Sequence, residues 1–146
     1  MYTGLLHAHS GLRWIVLVLI VWALYKSISG WVGNKEYQKS DRLSALLAMI
    51  FTHIQLLIGL VLYFISPNVS FQEGVMESSL LRFFTVEHLA MMIISIALIT
   101  IGFSTAKRAT EAVQKHKKVA IYYGIGLLIM VAAIPWPFRG LGTGWF

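Results

Sequence analysis

Six ionisable residues lie inside long apolar stretches of the sequence, where such side chains are rare. They are His7, His9, Arg13, His53, Glu87 and His88. Because a titratable group is costly to hold within a membrane helix, each of them is a candidate for a functional role. Imidazoles from different helices can meet in the interior of a bundle, where they bind a metal ion or the iron of a haem.

The elements that carry these residues have the length and composition of membrane spans. Hydrophobic residues make up 58% of the 146-residue chain and charged residues 12%, which lies outside the range of ordinary soluble domains. A spanning helix needs about 20 mostly apolar residues. Four segments meet this requirement: 5–25, 43–65, 80–103 and 119–136. Because lipid offers no partner to free backbone groups, and no alternating strand pattern occurs, we predict one all-α domain (1–146), an integral membrane four-helix bundle.

Basic residues are concentrated on two of the three links between these spans. Nine of the 12 Lys and Arg residues lie there: Lys26, Lys35, Lys39, Arg42, Lys107, Arg108, Lys115, Lys117 and Lys118. Since cytoplasmic links retain the basic residues, both links are predicted to lie inside and both termini outside, an N-out/C-out topology. The net charge of +6 is then explained by insertion and by contact with anionic lipid headgroups, so no nucleic-acid partner is predicted.

The histidines of three different spans fall in the outer half of the predicted bundle or near its midplane. Counting inward from the segment ends at about 1.5 Å per residue places His9 at roughly 6 Å, His88 at roughly 12 Å and His53 at roughly 18 Å. We predict that His53 and His88 are the axial ligands of a haem, with His9 as the alternate ligand. Leucine, methionine and phenylalanine near His53 and His88 suit an apolar macrocycle better than a bare ion.

Arg13 needs a partner of its own, because the rise per residue places it about 12 Å below the outer boundary of the membrane. One predicted partner is Glu87, which lies at comparable depth and could form an ion pair with it. The other is a haem propionate, which an arginine binds well. His7 projects about 160° away from His9 around the helix, so at most one of the two shares the face of Arg13.

Other kinds of chemistry find little support in the sequence. The chain has no cysteine, which excludes covalent haem attachment through C-x-x-C-H, iron–sulfur ligation and disulfides. No nucleophile paired with a base and no phosphate loop is present, so no catalytic residue is predicted and enzyme status stays open. His116, in QKHKK, is expected to be solvated, and the glycine-rich, aromatic segment 140–146 has no predicted role.

Four short motifs resemble those of a known group of proteins. They are HSGLRW at 9–14, THIQLLIGLVLYF at 52–64, VEHLAMM at 86–92 and IPWPF at 134–138. In these motifs the chain resembles the small four-span bacterial membrane proteins catalogued as cytochrome b-like. The resemblance implies a non-covalently bound haem b and a role in respiratory or other electron transfer in the bacterial cytoplasmic (inner) membrane.

The histidine positions limit what such a protein could do alone. Because no histidine falls in the inner half, one haem is expected, and one haem in the outer half cannot carry electrons across the bilayer. A quinone, an extracytoplasmic electron donor, a partner membrane subunit or a second copy of the chain is therefore an expected partner. Two other interpretations stay open: a copper- or zinc-handling protein that uses the same histidines, and a cofactor-free structural or assembly subunit.

Overall fold

Four long helices contain nearly all of the apolar sequence in the computed structural model, which describes residues 1–145. The helices are α1 (Tyr2–Val32), α2 (Lys39–Ile65), α3 (Ser79–Arg108) and α4 (Ala112–Ala133), followed by a 3-10 turn, Pro137–Arg139. Helix accounts for 78% of the protein, and no strand occurs in the described residues. Each of the four is long and apolar enough to span a membrane. The prediction of an all-α chain with four candidate spans is confirmed.

Most helix ends lie beyond the predicted ends because charged residues end an apolar segment without ending the helix. Lysine and glutamine are good helix formers, so α4 begins at Ala112, seven residues before the predicted start at Val119. At its other end α4 stops at Ala133, and Ile134 has an extended ψ of 131°. The residue before a proline disfavours the helical conformation, so Pro135 leaves the helix although it was assigned to the fourth span.

The helices pack antiparallel, each mainly against two neighbours. Helices α1 and α3 both pack against α2 and α4. The ammonium of Lys26 lies 3.1 Å from the carboxylate of Asp41, so the end of α1 lies beside the start of α2. The start of α1, the end of α4 and the link 66–78 lie at one end, here called the histidine end. The links 33–38 and 109–111 lie at the other end, here called the basic end.

The interior is filled with small and branched residues, and the outside is apolar. Alanines such as Ala45 and Ala48 are fully buried, which lets the helices approach closely. The buried hydroxyl of Tyr123 on α4 donates to the backbone oxygen of Ala45 on α2 at 2.7 Å. Phe64 and Leu128 are 78% and 72% exposed. Large apolar side chains on the outer surface are what a lipid-facing bundle requires.

Helix α3 contains one π-helical turn, Phe83–Glu87, directly before His88. A π turn widens the helix and leaves backbone groups free for other partners, and such turns are frequent at functional sites. Here the hydroxyl of Tyr63 on α2 donates to the backbone oxygen of Thr85 at 2.9 Å. The hydroxyl oxygen of Thr85 accepts from the Ser70 N–H at 3.1 Å. The π turn therefore joins α3 to α2 and to the link between them.

Candidate cofactor site

A cavity of about 250 Å³ lies inside the histidine end and is partly open. All four helices and the tail after α4 contribute to its wall, most of which is apolar. The polar and charged side chains that line it are Tyr2, His9, Ser10, Arg13, Thr52, Gln55, Tyr63, Ser66, Asn68, His88 and Thr143. An apolar cavity with a few convergent polar groups is the usual form of a cofactor or ligand site.

His9 enters this cavity from α1 and is held against α2. A Cβ added to Gly59 would lie 3.0 Å from Cε1 of His9, so the imidazole occupies space that any larger residue would restrict. The side-chain nitrogen of Gln55 donates to the backbone oxygen of His9 at 2.8 Å. Nδ1 of His9 is buried and has no hydrogen-bond partner among the described residues. His7, in contrast, is exposed.

His88 lies opposite, at the start of the regular part of α3. Its Nδ1 lies 2.8 Å from the backbone oxygen of Ala133, and because a carbonyl only accepts, Nδ1 must carry the proton. Nε2 is then left with a free lone pair. A backbone carbonyl on the other ring nitrogen is the usual support of a metal-binding histidine. Phe83 and Phe84 pack against this imidazole with ring centroids 5.8 and 6.3 Å away.

The separation of the two imidazoles is compatible with a shared metal atom. Their centroids are 6.4 Å apart and their planes are inclined by 73°. An imidazole nitrogen binds a metal at about 2.0–2.1 Å and lies about 1.1 Å from its own ring centre, so two imidazoles on opposite sides of one metal have centroids roughly 6.3 Å apart. An edge-to-face ring contact also covers this separation. The nitrogens left free on both rings are what favour a bound atom.

Unpartnered buried polar atoms are concentrated at this cavity. Nδ1 of His9, Nε of Arg13 and Oε1 of Gln55 are all buried without a hydrogen-bond partner, and all three residues line the cavity. The one other such atom in the described part of the chain is Nδ1 of His116. A buried polar group left unpaired costs about 1–3 kcal/mol. These three atoms are available to form hydrogen bonds with water or with a ligand that enters the cavity.

Arg13 is surrounded by tryptophans rather than by acidic residues. Its Nη2 donates to the backbone oxygen of Trp145 at 2.6 Å, and its guanidinium lies 5.3 and 5.8 Å from the ring centroids of Trp14 and Trp136. The three indoles are 6.0 to 6.4 Å from one another. We call Trp14, Trp136 and Trp145 the indole cluster.

The tail that follows α4 folds back to reach Arg13. Gly140 and Gly142 both have a φ of +69°, a conformation that glycine adopts without strain. The hydroxyl of Thr143 donates to the backbone oxygen of Pro135 and fixes the returning chain. Segment 140–145, for which the sequence predicted no role, therefore covers one wall of the cavity, and residue 146 of the same segment lies outside the described residues.

The predicted ion pair between Arg13 and Glu87 is wrong. The carboxylate of Glu87 instead accepts from Nε of Arg82 at 2.7 Å. Arg82 directly precedes the π turn and Glu87 is its last residue, so the i to i+5 spacing of the turn brings the two side chains together. A count at 100° per residue assumes a regular α-helix and therefore misplaced Glu87.

His53, the preferred partner of His88 in the sequence prediction, does not line the cavity. Its Nδ1 lies 2.7 Å from the backbone oxygen of Met49, and its Nε2 lies 3.3 Å from the hydroxyl of Thr100 on α3. The Thr100 hydroxyl also donates to the backbone oxygen of Ile96 at 2.8 Å, so Nε2 of His53 lies beside an engaged hydroxyl on α3 and outside the cavity. The pair that the structure brings together is His9 with His88, the alternate in the prediction.

The predicted depth of His9 was too small because α1 begins before the apolar segment from which the depth was counted. The helix begins at Tyr2 rather than at Leu5. Three further residues place His9 about 4.5 Å deeper, at roughly 10–11 Å, which is close to the roughly 12 Å predicted for His88.

His116 is buried, and the expectation that it is solvated is wrong. Its exposed fraction is 1%. The ring occupies a notch beside Gly30 on α1, stacks edge-on against Tyr37 at 4.9 Å, and places Nε2 3.3 Å from the backbone oxygen of Glu36. His116 lies three residues before Val119, which places the two side chains on the same face of α4, and that apolar spacing would have indicated an inward-facing residue.

His9 and His88 are the two histidines that line this cavity. No group of three or more His, Cys, Asp and Glu residues that could hold a metal ion occurs in residues 1–145. Zinc sites use three or four protein ligands, whereas a haem needs only axial ligands because its macrocycle supplies the others. Two facing imidazoles and an apolar wall meet that requirement.

Comparison with family models, with curated proteins and with solved structures finds no match to this chain.

Proposed function

We propose that this protein is a membrane-embedded b-type haem protein that takes part in electron transfer and binds one haem between His9 and His88. The observation that carries the proposal is the pair of imidazoles, 6.4 Å apart, across an apolar cavity with unpartnered polar atoms. The resemblance of four motifs to cytochrome b-like proteins also favours a haem, and two of these motifs contain His9 and His88. We choose His9 over His53 as the second ligand because His9 lines the cavity together with His88, whereas His53 does not.

Each residue of the site has a task in this proposal. His9 and His88 bind the iron, and the bond from Nδ1 of His88 to Ala133 keeps its ring oriented. Arg13 binds a propionate, since a guanidinium forms strong charge-assisted hydrogen bonds with carboxylates. The apolar wall excludes water from the bound group. Haem b supplies one-electron redox chemistry when bound.

We further propose an N-out/C-out orientation in the bacterial cytoplasmic membrane, with the histidine end outside. The supporting observation is the concentration of lysine and arginine at the basic end, since cytoplasmic links retain basic residues. An alkaline phosphatase fused to the C-terminus is then expected to be active, and a green fluorescent protein fused there is expected to stay dark. Bright fluorescence from the second fusion would contradict this orientation.

A partner follows from the position of the proposed haem. Both ligands lie in the outer half of the bundle, so one haem does not reach the inner surface. Electrons would be exchanged with a quinone, an extracytoplasmic donor, a membrane subunit or a second copy of the chain.

The absorption spectrum of the detergent-purified protein tests the proposed cofactor. We expect a Soret band, sharp α and β bands after reduction, and about one haem b per chain, because one bis-histidine site is available. Copper or zinc in stoichiometric amount without a Soret band would replace the proposal with the metal-handling alternative. A protein with neither would be a cofactor-free structural or assembly subunit.

A further inference from the structure

A second cavity, of about 330 Å³, lies at the basic end. Three separate stretches of chain line it: Tyr37, Gln38, Lys39 and Arg42 around the start of α2, Phe103 and Lys107 near the end of α3, and Lys115 near the start of α4. Four of these seven residues are cationic and none is acidic. We call Lys39, Arg42, Lys107 and Lys115 the basic cluster.

No carboxylate in the described residues forms an ion pair with the basic cluster. The ion pairs found in residues 1–145 are Lys26 with Asp41 and Arg82 with Glu87. Glu36 directly precedes Tyr37 and forms no ion pair with the basic cluster. Asp41 directly precedes Arg42, and it also accepts from the backbone N–H of Gln38 at 2.8 Å. Its carboxylate is thus already used. Like charges held around one cavity repel one another, so an anion bound between them would be stabilised.

Tyr37 gives the cavity a fixed wall and a neutral hydrogen-bonding group. Its ring packs against the buried His116 at 4.9 Å and lies 5.6 Å from the ammonium of Lys115. Burial raises the pKa of Tyr37 to about 12, with Asp41 adding to the rise. The phenol therefore keeps its proton at neutral pH and can donate a hydrogen bond.

We infer that this cavity binds a phosphate group, carried either by an anionic phospholipid headgroup or by a soluble phosphate compound. Ammonium and guanidinium groups form charge-assisted hydrogen bonds with phosphate oxygens. Basic pockets between membrane helices are suited to anionic headgroups, and this one lies at the helix ends, at headgroup level. Membrane insertion explains why basic residues are present at this end. It does not explain why four of them, from three stretches of chain, line one cavity.

Thermal unfolding of the intact protein in neutral detergent tests this inference. The added compounds are a short-chain phosphatidylglycerol, the matching phosphatidylcholine, and sodium phosphate against sodium chloride at equal ionic strength. Stabilisation by phosphatidylglycerol alone identifies the lipid source, and equal stabilisation by free phosphate identifies the soluble source; both support the site. If phosphatidylglycerol acts no better than phosphatidylcholine and phosphate no better than chloride, the inference is wrong.

Charge-matched variants separate a specific site from general attraction to a basic surface. Lys107→Gln with Lys115→Gln removes two charges of the basic cluster, and Arg108→Gln with Lys118→Gln removes two charges that do not line the cavity. The first pair of substitutions is expected to weaken the binding of phosphatidylglycerol or phosphate about tenfold or more, and the second pair about twofold or less. Equal weakening by both pairs would overturn the inference. If the first pair fails to fold, Arg42→Gln against Lys35→Gln makes the same comparison.

Discussion

His9→Ala and His88→Ala are each expected to remove most of the haem from the purified protein, whereas His53→Ala should keep it. Losing one of two axial ligands also leaves the other imidazole facing an apolar cavity. We expect the haem-to-protein ratio to fall at least about tenfold, since even outer-shell partners of metal ligands change metal affinity about 10- to 100-fold. The ratio is measured by the pyridine haemochrome assay on protein purified from cells that were grown in haem-supplemented medium.

Two controls separate a lost ligand from a lost fold. His7→Ala changes an exposed residue two positions before His9 and should leave both haem content and thermal stability unchanged. The unfolding midpoint of each cofactor-free variant shows whether the bundle still forms. If the His9→Ala variant keeps its haem and the His53→Ala variant loses it, the ligands are His53 and His88, the pair that the sequence favours.

Gly30→Ala is expected to destabilise the bundle at the basic end. A Cβ at this position would lie 2.2 Å from Cε1 and 2.4 Å from both ring nitrogens of His116. Because His116 is buried, its ring has little room to move, and overpacking of this kind costs about 1–3 kcal/mol. Alanine would otherwise gain up to about 1 kcal/mol over glycine within a helix. The shift in the midpoint of detergent or thermal unfolding measures the net effect.

Gly11→Ala on the same helix is the matched control, because a Cβ there meets nothing within 4 Å. It should be neutral or slightly stabilising. In the Gly30→Ala background, His116→Ala removes the colliding ring, and we expect it to recover part of the lost stability as a double-mutant cycle. A Gly30→Ala protein as stable as the wild type would show that the ring and the helix adjust without cost.

The sequence predicts the spans of this protein better than it predicts the contacts between them. Hydropathy identifies all four helices because each contains a long apolar run, as a membrane span would need. It misplaces the ends of α1 and α4, since helix formation continues through Lys26 and through the lysines around His116. The error at the start of α1 left His9 and His53 equally offset in depth from His88, by about 6 Å each, so depth did not distinguish the two pairs. A shift of three residues is enough to change which histidines lie at one level.

Other features of the site depend on local backbone geometry that residue spacing does not contain. The π turn in α3 directs Glu87 to Arg82, and no residue type marks it in advance. The return of the tail to Arg13 depends on two positive-φ glycines. Gly140 and Gly142 show that a turn is possible there, but not which helix it reaches.

The indole cluster gives the protein an optical reporter of its own. Three of the five tryptophans lie in it, beside the cavity that Gly142, Thr143 and Gly144 help to line. The other two, Trp22 and Trp31, lie farther along α1 toward the basic end. A pigment bound in the cavity would accept excitation energy mainly from the nearby indoles. Emission from the unlabelled wild-type chain would then dim as the cavity fills, which allows titration without dyes or engineered residues.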